Sequence, residues 1–592
     1  MNPDKLLYRV LYIDLSRYRF WTEYREDLFD KYLGGVGVAV KLFDEEVKNK
    51  DVDPLSPGNV IVFAIGPLTD LYPAASKTVA VFKSPLTGNY GESHAGGRSA
   101  AAIRMAGYGA IVIKGVSKKP VYIAIHGDNV YFRDASALWG MRSSYTVGRV
   151  IREREGGAGL RTIMRIGRAG ENLVRYASVI TETYRHFGRL GLGAVFGSKK
   201  LKALVISGRR RIPIADKRGY REVYDEIYKY AVESDLMKKY HDIGTPMNVI
   251  PLSELGALPV KNLTTTKLRR VKRISGEYIG ENYLGRRVAC VHCPVACIHI
   301  AAIREPYEDE PWFYKTTFVS YDYEPIYALG SMLGLNDPFK LLRLIECVEI
   351  YGLDAISTGV VLAWATEAYK KGIITLGDTI VELKWGDYEA YSEAVKYIVE
   401  QPNEFYRTIA RGISEACKVY GGCEFALTYG GNEMPGYHTG PACHLGYAIG
   451  ARHSHLDSAG YSLDQKMLKS GGKLSEPGEL IDKLIEEESW RQILSSLVVC
   501  FFARGIYKPE MVVKALKPLG YEYGIDDILD LGRRIYSEKY RLKINLGFKP
   551  EEIKLPKRIF ETSTPFGVLN EEYMNKALEY FRVRIGEITG VG

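Results

Sequence analysis

Three cysteines fall within eight residues, Cys290-Val291-His292-Cys293-Pro294-Val295-Ala296-Cys297. The C-x2-C-x3-C spacing lets three thiolates wrap one face of a metal site. An iron–sulfur cluster would need a fourth thiolate, whereas a tetrahedral zinc would need a further ligand such as His292 or His299. Cys347, Cys417, Cys423, Cys443 and Cys500 are all open as the fourth ligand, and spacing does not choose among them. Cys347 lies among apolar positions of a predicted helix, where a buried free thiol is the simplest expectation. A cluster, a zinc site and unligated thiols therefore stay open on spacing alone. A cluster would act as a one-electron relay.

A second concentration is Arg452-His453-Ser454-His455-Leu456-Asp457. Two imidazoles and a carboxylate in so short a span suit proton handling near neutral pH. Glu324, in Asp322-Tyr323-Glu324-Pro325, is a further carboxylate of interest. Taken alone, a solvated glutamate and a surface histidine pair are the plain alternatives. His444 beside Cys443 has a similar but weaker claim to metal binding. A dinucleotide-binding loop is a poor reading, because Gly191-Leu192-Gly193-Ala194-Val195-Phe196-Gly197 lacks the G-x-G-x-x-G spacing.

Two kinds of element must position these groups. The first ~210 residues read as a series of short strands: Leu6 to Asp14, Val60 to Ile65, Ala110 to Ile113, and Val121–Ile125 with Val130–Phe132 around a hairpin at His126-Gly127-Asp128-Asn129. From Ile212 the apolar spacing turns helical. Tyr220 to Tyr240 is one long amphipathic candidate, Gly478 to Ala503 and Asn570 to Val583 are others, and Asp337-Pro338 reads as an N-cap and first-turn pair opening a helix that stops at Gly352. The expected fold class is α+β: a β-rich domain at 1–210, a mainly helical domain at 211–410 carrying three cysteines of the site, and a mainly helical domain at 411–592 carrying the fourth. No repeat of the solenoid class is visible.

Composition narrows the setting. Of 592 residues 46% are hydrophobic and 26% charged, which excludes whole-chain disorder. No apolar run is long enough for a membrane helix. The net charge of +9 is dispersed, apart from Arg209-Arg210-Arg211, so no nucleic-acid partner is expected, while an acidic protein partner could still be steered by a mildly positive surface. Glutamine occurs only at Gln401, Gln465 and Gln492 among many Lys, Arg and Glu, which fits a thermophile. Met1-Asn2-Pro3-Asp4-Lys5 turns charged at once, so no signal peptide is expected. Eight cysteines then point to a reducing, cytoplasmic location, with thiols used as ligands rather than disulfides.

Several segments together resemble the aldehyde ferredoxin oxidoreductase family of tungsten enzymes. They are Lys83-Ser84-Pro85-Leu86-Thr87-Gly88 with Ala95-Gly96-Gly97, Ala169-Gly170-Glu171-Asn172-Leu173-Val174-Arg175, Gly188 to Lys199, the cysteine cluster, Tyr351-Gly352-Leu353-Asp354, Glu433-Met434-Pro435-Gly436-Tyr437, and the stretch ending in Cys500. Their order matches the family over most of the chain. The resemblance implies tungsten (or molybdenum) held by two pterins, a [4Fe–4S] cluster, a magnesium ion bridging the pterin phosphates, and oxidation of aldehydes to carboxylic acids with electrons passed to ferredoxin or an iron–sulfur electron-transfer subunit. It implies Cys290, Cys293, Cys297 and Cys500 as cluster ligands. It places Lys77 where the family usually has arginine between cluster and pterin, and Lys lacks the planar fork of Arg. His94, with Ala95, Gly96 and Gly97, and Arg185, His186 and Gly188 fall in the cofactor cradle, the magnesium being held by main-chain carbonyls of His94 and of a residue near Arg185-His186-Phe187. Glu349 and Asp354 belong to one pterin-cradling D-x-x-G-L-(C/D) segment, with Glu for the first Asp. Ser495 and Val499 belong to the other, in which the acid and the glycine are both missing.

The resemblance further implies Glu324 and His455 as the catalytic pair, with Asp322 and His453 as near rivals. The E-x-x-H pair that supplies an interface iron in some members is not evident, and that iron is not expected. Two other functions compete. One is a family member reducing a carboxylic or aromatic substrate; the other is a non-catalytic iron–sulfur electron-transfer or maturation subunit. The natural aldehyde and the oligomeric state, a homodimer among the options, stay open.

Overall fold

Two six-stranded sheets, both built from residues 9–208, form the floor of the molecule. The computed structural model describes residues 4–157, 159–182 and 184–590. The first sheet contains β1 (Arg9–Asp14), β2 (Arg19–Tyr24), β3 (Ile61–Ala64), β4 (Thr78–Lys83), β5 (Tyr90–Ala95) and β6 (Ala110–Lys114), in the order β2-β1-β6-β3-β4-β5. Only β1 and β6 run parallel; the other pairs are antiparallel. The second contains β7 (Val121–His126), β8 (Asn129–Asp134), β9 (Leu160–Ile166), β10 (Val179–Ile180), β11 (His186–Phe187) and β12 (Leu201–Gly208), in the order β11-β10-β9-β12-β7-β8. The fully buried strands β3, β4 and β12 read as nearly continuous apolar or β-branched runs, as strands covered on both faces must.

The fold is α+β, with the sheets first and mainly helices after. The β-rich region is not all strand. Helix Gly35–Glu46 buries Val36, Val38, Val40, Leu42 and Phe43, each fully buried aliphatic or aromatic side chain contributing roughly 1.5–3 kcal/mol. Its core continues into the far C-terminal region: Ile493, Leu494 and Leu497, then Leu516, Ile528, Leu531 and Ile535, belong to the same buried cluster as the first sheet. The second large core joins the middle of the chain to helix Glu571–Thr589. A three-stranded sheet, β13 (Leu284–Val288), β14 (Ile298–Pro306) and β15 (Tyr314–Tyr321), interrupts the helical body, and the cysteine loop is the β13–β14 connection.

The Asp337-Pro338 signal holds. Asp337 accepts a hydrogen bond from the Lys340 N–H, and the helix Pro338–Tyr351 ends at Gly352 in the left-handed region. Two helices are shorter than their apolar spacing implies. The Tyr220–Tyr240 candidate is two helices, Lys217–Glu233 and Asp235–Asp242, because Ser234 adopts an extended backbone and caps the second with its hydroxyl. The Gly478–Ala503 candidate is Pro477–Ser496 and stops short of Cys500. Cys417 and Cys423 form a disulfide, an exception to the expectation of thiols used as ligands rather than disulfides, and this removes both as fourth-ligand candidates. The pair is brought together by the turn at Gly421-Gly422, both with positive φ, after helix Ile413–Tyr420.

Helix Gly35–Glu46 starts where the floor meets the C-terminal helices. Gly35 has φ +41, and a Cβ there would lie 2.2 Å from the Ser495 carbonyl oxygen. Gly35→Ala should therefore destabilise the protein by about 3 kcal/mol or more, measured as a lowered thermal midpoint.

Candidate active site

The cysteine loop is tied to the rest of the protein by backbone. The Gly97 N–H donates to the Cys290 Sγ at 3.1 Å, and the Val291 N–H to the Gly97 carbonyl. The Ala74 N–H donates to the His292 carbonyl, and the Ala74 carbonyl accepts from the Cys500 N–H at 2.8 Å. The Lys77 N–H donates to the Val498 carbonyl. One short segment, 74–77, thus clasps the near cysteines with one hand and the distant one with the other. Left-handed backbone at His292 (φ 53) and Ala296 (φ 49) turns the loop back on itself.

Electrostatics report the same gathering. Burial pushes the Cys293 thiol up to about 12, with Cys290 and Cys500 adding to the rise. Burial also pushes the Cys297 thiol up; Arg185 opposes the rise, while Cys500, Cys290 and Cys293 reinforce it. Two thiols held up by burial and by neighbouring thiols cannot both ionise without strong positive charge beside them. Among the described residues no three His, Cys, Asp or Glu side chains converge as tightly as a single metal ion would require. Cys347 and Cys443 lie apart from this group, each held up at about 12 by burial.

Beside the thiols stand two cations. A Cβ on Gly96 would lie 2.9 Å from the Cys290 Sγ, 3.5 Å from the Lys77 Nζ and 3.9 Å from Arg185, so all three surround one small residue. Burial works against the charge of Arg185, but Asp322, Cys297 and Cys290 outweigh it and hold it firmly protonated. Its ion pair with Asp322 is 2.6 Å, which commits Asp322 to that role. The carbonyl of Arg185 accepts from the Thr181 N–H. Strand β11, with His186, packs beside β5, with His94 and Ala95, so the two candidate magnesium-holding stretches are neighbours. A Cβ on Gly188 would meet only the His186 Cβ, at 3.9 Å.

The His94 imidazole is drawn away from that cradle. It meets Glu92 at 2.7 Å, and burial lowers its pKa to about 4 despite the carboxylate. Burial alone would raise Glu92, but Lys539 at 2.5 Å and Arg452 at 3.4 Å outweigh it and keep it well below the carboxylate range. Arg452 also pairs with Asp457 at 2.6 Å. Asp457 in turn accepts from the Ser454 N–H and closes a capping box around helix His455–Ser458. A chain of buried charge therefore fixes His455 to the sheet.

His455 and Glu324 meet. The Nδ1 of His455 and the Oε1 of Glu324 face each other at 3.5 Å, and both atoms are buried without a hydrogen-bond partner. The two side chains are 12% and 16% exposed. Glu324 lies in the first turn of helix Tyr323–Leu329, and its Oε2 accepts from the Gly436 N–H at 3.1 Å. Burial raises Glu324 to about 8. Burial, with Arg189 and Arg452 adding, lowers His455 to about 3. Tyr437 and Tyr461, stacked 4.3 Å apart, and Tyr323 wall the pair. His453 is not part of it: its Nε2 lies 2.9 Å from Lys543 and its Nδ1 3.0 Å from the Tyr447 carbonyl.

The patterns defining "Aldehyde ferredoxin oxidoreductase, N-terminal domain" and "Aldehyde ferredoxin oxidoreductase, domains 2 & 3" match residues 10–208 and 222–586. The chain belongs to the aldehyde ferredoxin oxidoreductase family. It is 34% identical over 565 residues to a tungsten-containing aldehyde ferredoxin oxidoreductase of Thermococcus kodakarensis, covering 92% of this chain and 90% of that one. It is 32% identical over 413 residues to the WOR-like subunit of an aliphatic sulfonate oxidoreductase of Pyrococcus furiosus, covering 66% and 64%. Its fold is shared with a chain of the active site complex BamBC of benzoyl coenzyme A reductase, with a TM-score of 0.82 at 21% identity over 99% of this chain and 95% of that one.

The segments Glu349–Asp354 and Ser495–Cys500 have one backbone. Leu353 N–H bonds back to the Val348 carbonyl, and Val499 N–H to the Leu494 carbonyl, so both segments close a helix in the same way. Gly352 has φ 77; Val498, which replaces the second glycine, keeps φ 57. A β-branched residue there is strained. Val498→Gly should raise stability by about 1 kcal/mol, read as a higher unfolding midpoint at unchanged fold. Ser495 and Val499 are buried. In the first segment Glu349 lies 3.7 Å from His186, bonds Tyr145, and is raised to about 7 by burial. Asp354 caps helix Ala355–Lys370 and holds Arg189 at 3.2 Å.

Arg189 is the residue that sequence reasoning passed over. It bridges Asp354 and the Glu433 carbonyl, yet its Nη1 is buried without a partner. The signal was present: it is the one cation inside the glycine-rich run Gly188 to Gly197.

Proposed function

We propose that the protein oxidises small aldehydes to carboxylic acids at a bispterin-held tungsten or molybdenum, and that its electrons leave through a [4Fe–4S] cluster to a ferredoxin or an iron–sulfur electron-transfer subunit. The observation that carries the reading is the facing pair Glu324–His455, with two orphaned buried atoms 3.5 Å apart.

The residues fit the groups. Cys290, Cys293, Cys297 and Cys500 would hold the cluster: the 74–77 segment bonds the backbone of both stretches, and Cys293 and Cys297 feel the other thiols as neighbours, which gives the four sulfurs that an iron–sulfur cluster takes. Lys77 and Arg185 would stand against the anionic side of the cofactor, and the unpartnered Nη1 of Arg189 would face an acceptor on it or on the substrate. The magnesium fits main-chain carbonyls of His94 and of the Arg185–His186 stretch. When bound, the heavy metal supplies the two-electron oxidation and the cluster passes those electrons on singly.

This chain's residues then handle carbonyl and protons. With Glu324 at about 8 and His455 at about 3, the pair at neutral pH is a carboxylic acid beside a neutral imidazole. Closing from 3.5 Å, the Glu324 hydroxyl would donate to Nδ1, which would leave the proton of the imidazole on Nε2. Nε2 has no partner among the described residues. Its N–H donates to the aldehyde oxygen and polarises the carbonyl. Tyr323, Tyr437 and Tyr461 pack around the pair, and the reaction balances as aldehyde plus water giving carboxylic acid, two electrons and two protons.

Elemental analysis of protein purified without air tests the reading, together with aldehyde-dependent reduction of benzyl viologen. About four irons and one tungsten or molybdenum per chain are expected. Iron without either heavy metal would support an electron-transfer or maturation subunit instead.

A further inference from the structure

We propose that the basic groove beside the cysteine loop is the docking surface for an acidic iron–sulfur carrier protein. The inference rests on the redox reading above and adds where the partner sits.

An open groove of about 1660 Å³ reaches the cysteine loop at His292, whose side chain is 42% exposed between Cys290 and Cys293. Its walls carry Lys5, Arg211, Lys217, Arg218 and Arg221. The acids along it are few and mostly committed. Glu222 pairs with Arg218 at 3.2 Å, and Asp4 pairs with Arg104 at 2.6 Å; Asp225 remains. Lys5, Arg211, Lys217 and Arg221 form no ion pair among the described residues, so the groove keeps a surplus of positive charge. Arg211 ends Arg209-Arg210-Arg211, the only place in the chain where three basic residues are consecutive, while Arg210 is spent on Asp128.

Helix Lys217–Glu233 continues this surface to the other cysteine. Its Tyr220 and Tyr224 line the basic groove, and its Tyr230, 53% exposed, lines a second, apolar one of about 400 Å³ with Leu236, Met237, Phe502 and Ile506. Phe502 lies two residues after Cys500. One helix therefore runs past both parts of the chain that reach the thiols, basic at its start and apolar at its end. A basic rim steers an acidic partner and an apolar patch fixes it at short range, which is the design of a weak electron-transfer encounter. Four free cations interleaved with tyrosines and Asp225 are a poor match for a phosphate backbone, which calls for a longer cationic track.

The test uses air-free holoenzyme, a low-potential acidic [4Fe–4S] ferredoxin, and the double variants Lys217→Glu/Arg221→Glu and Lys5→Glu/Lys217→Glu. Direct binding of oxidised ferredoxin is measured by titration calorimetry at about 20 and about 300 mM salt. Wild-type protein should bind at low salt and lose affinity at high salt. Both variants should bind roughly tenfold or more weakly at low salt and show a flattened salt dependence. The KM for ferredoxin should rise to match, with aldehyde-dependent benzyl viologen reduction unchanged. Equal binding and KM in wild type and variants overturn the docking surface, as does preferential retention of a single-stranded oligonucleotide. Wild-type protein that binds ferredoxin in this charge-dependent way yet reduces no dye with any aldehyde would sink the proposed reaction and leave the surface standing.

Discussion

Cys500→Ser protein should lose most of its visible iron–sulfur absorption, with iron falling far below about four per chain. Cys500 is the only one of the four thiols outside the 290–297 loop, and Ala74 links its N–H to the carbonyl of His292. Serine keeps that backbone bond and the local shape, so the fold should survive while the ligand set drops to three. A hydroxyl binds iron less well than a thiolate. Cys347→Ser and Cys443→Ser are the controls: both thiols lie outside the group, and their spectra should match wild type. An unchanged spectrum and iron content in Cys500→Ser would falsify the assignment of the distant ligand.

The second large effect is at His455. His455→Ala should lower kcat by about 10²–10³, the usual loss for one donor to a developing oxyanion, at unchanged metal content. The pH dependence gives the finer signature. Glu324 is protonated below about 8, and that proton keeps the hydrogen of His455 on Nε2. As pH rises through about 8 the carboxylate forms, accepts from Nδ1–H, and strips Nε2 of its donor; kcat should fall across that range. In Glu324→Gln the amide N–H still donates to Nδ1 at every pH. This variant should retain partial activity and lose the fall near pH 8. A profile identical to wild type would mean that Glu324 does not set the tautomer.

How much of this could be read in the residues varies by feature. The Asp337-Pro338 opening and the Gly352 stop were legible because capping is local chemistry. The break at Ser234 was not, since the apolar spacing continues past it and only the hydroxyl's bond to the Met237 N–H ends the first helix. The strands of the first sheet were legible from apolar runs such as Ile61–Ala64, but nothing in those runs says that Ile493 to Leu497 pack against them. Glu324 and His455 stood out by type, yet their meeting depends on a tertiary path through Gly436, Arg452 and Asp457. The Cys417–Cys423 disulfide was hidden by the Gly421-Gly422 turn that makes it. Val498 shows a further kind of blindness. The missing glycine signals a changed segment, whereas the backbone retains the left-handed shape at the cost of strain.

The clasp at residues 74–77 also sets a timetable. As the ribosome extrudes the chain from its N-terminus, Ala74 and the first three sulfurs emerge long before Cys500, and the clasp stays half open until the last sixth of synthesis is under way. All four sulfurs can be gathered only in a polypeptide whose C-terminal helices have already come back to the floor from which they were separated.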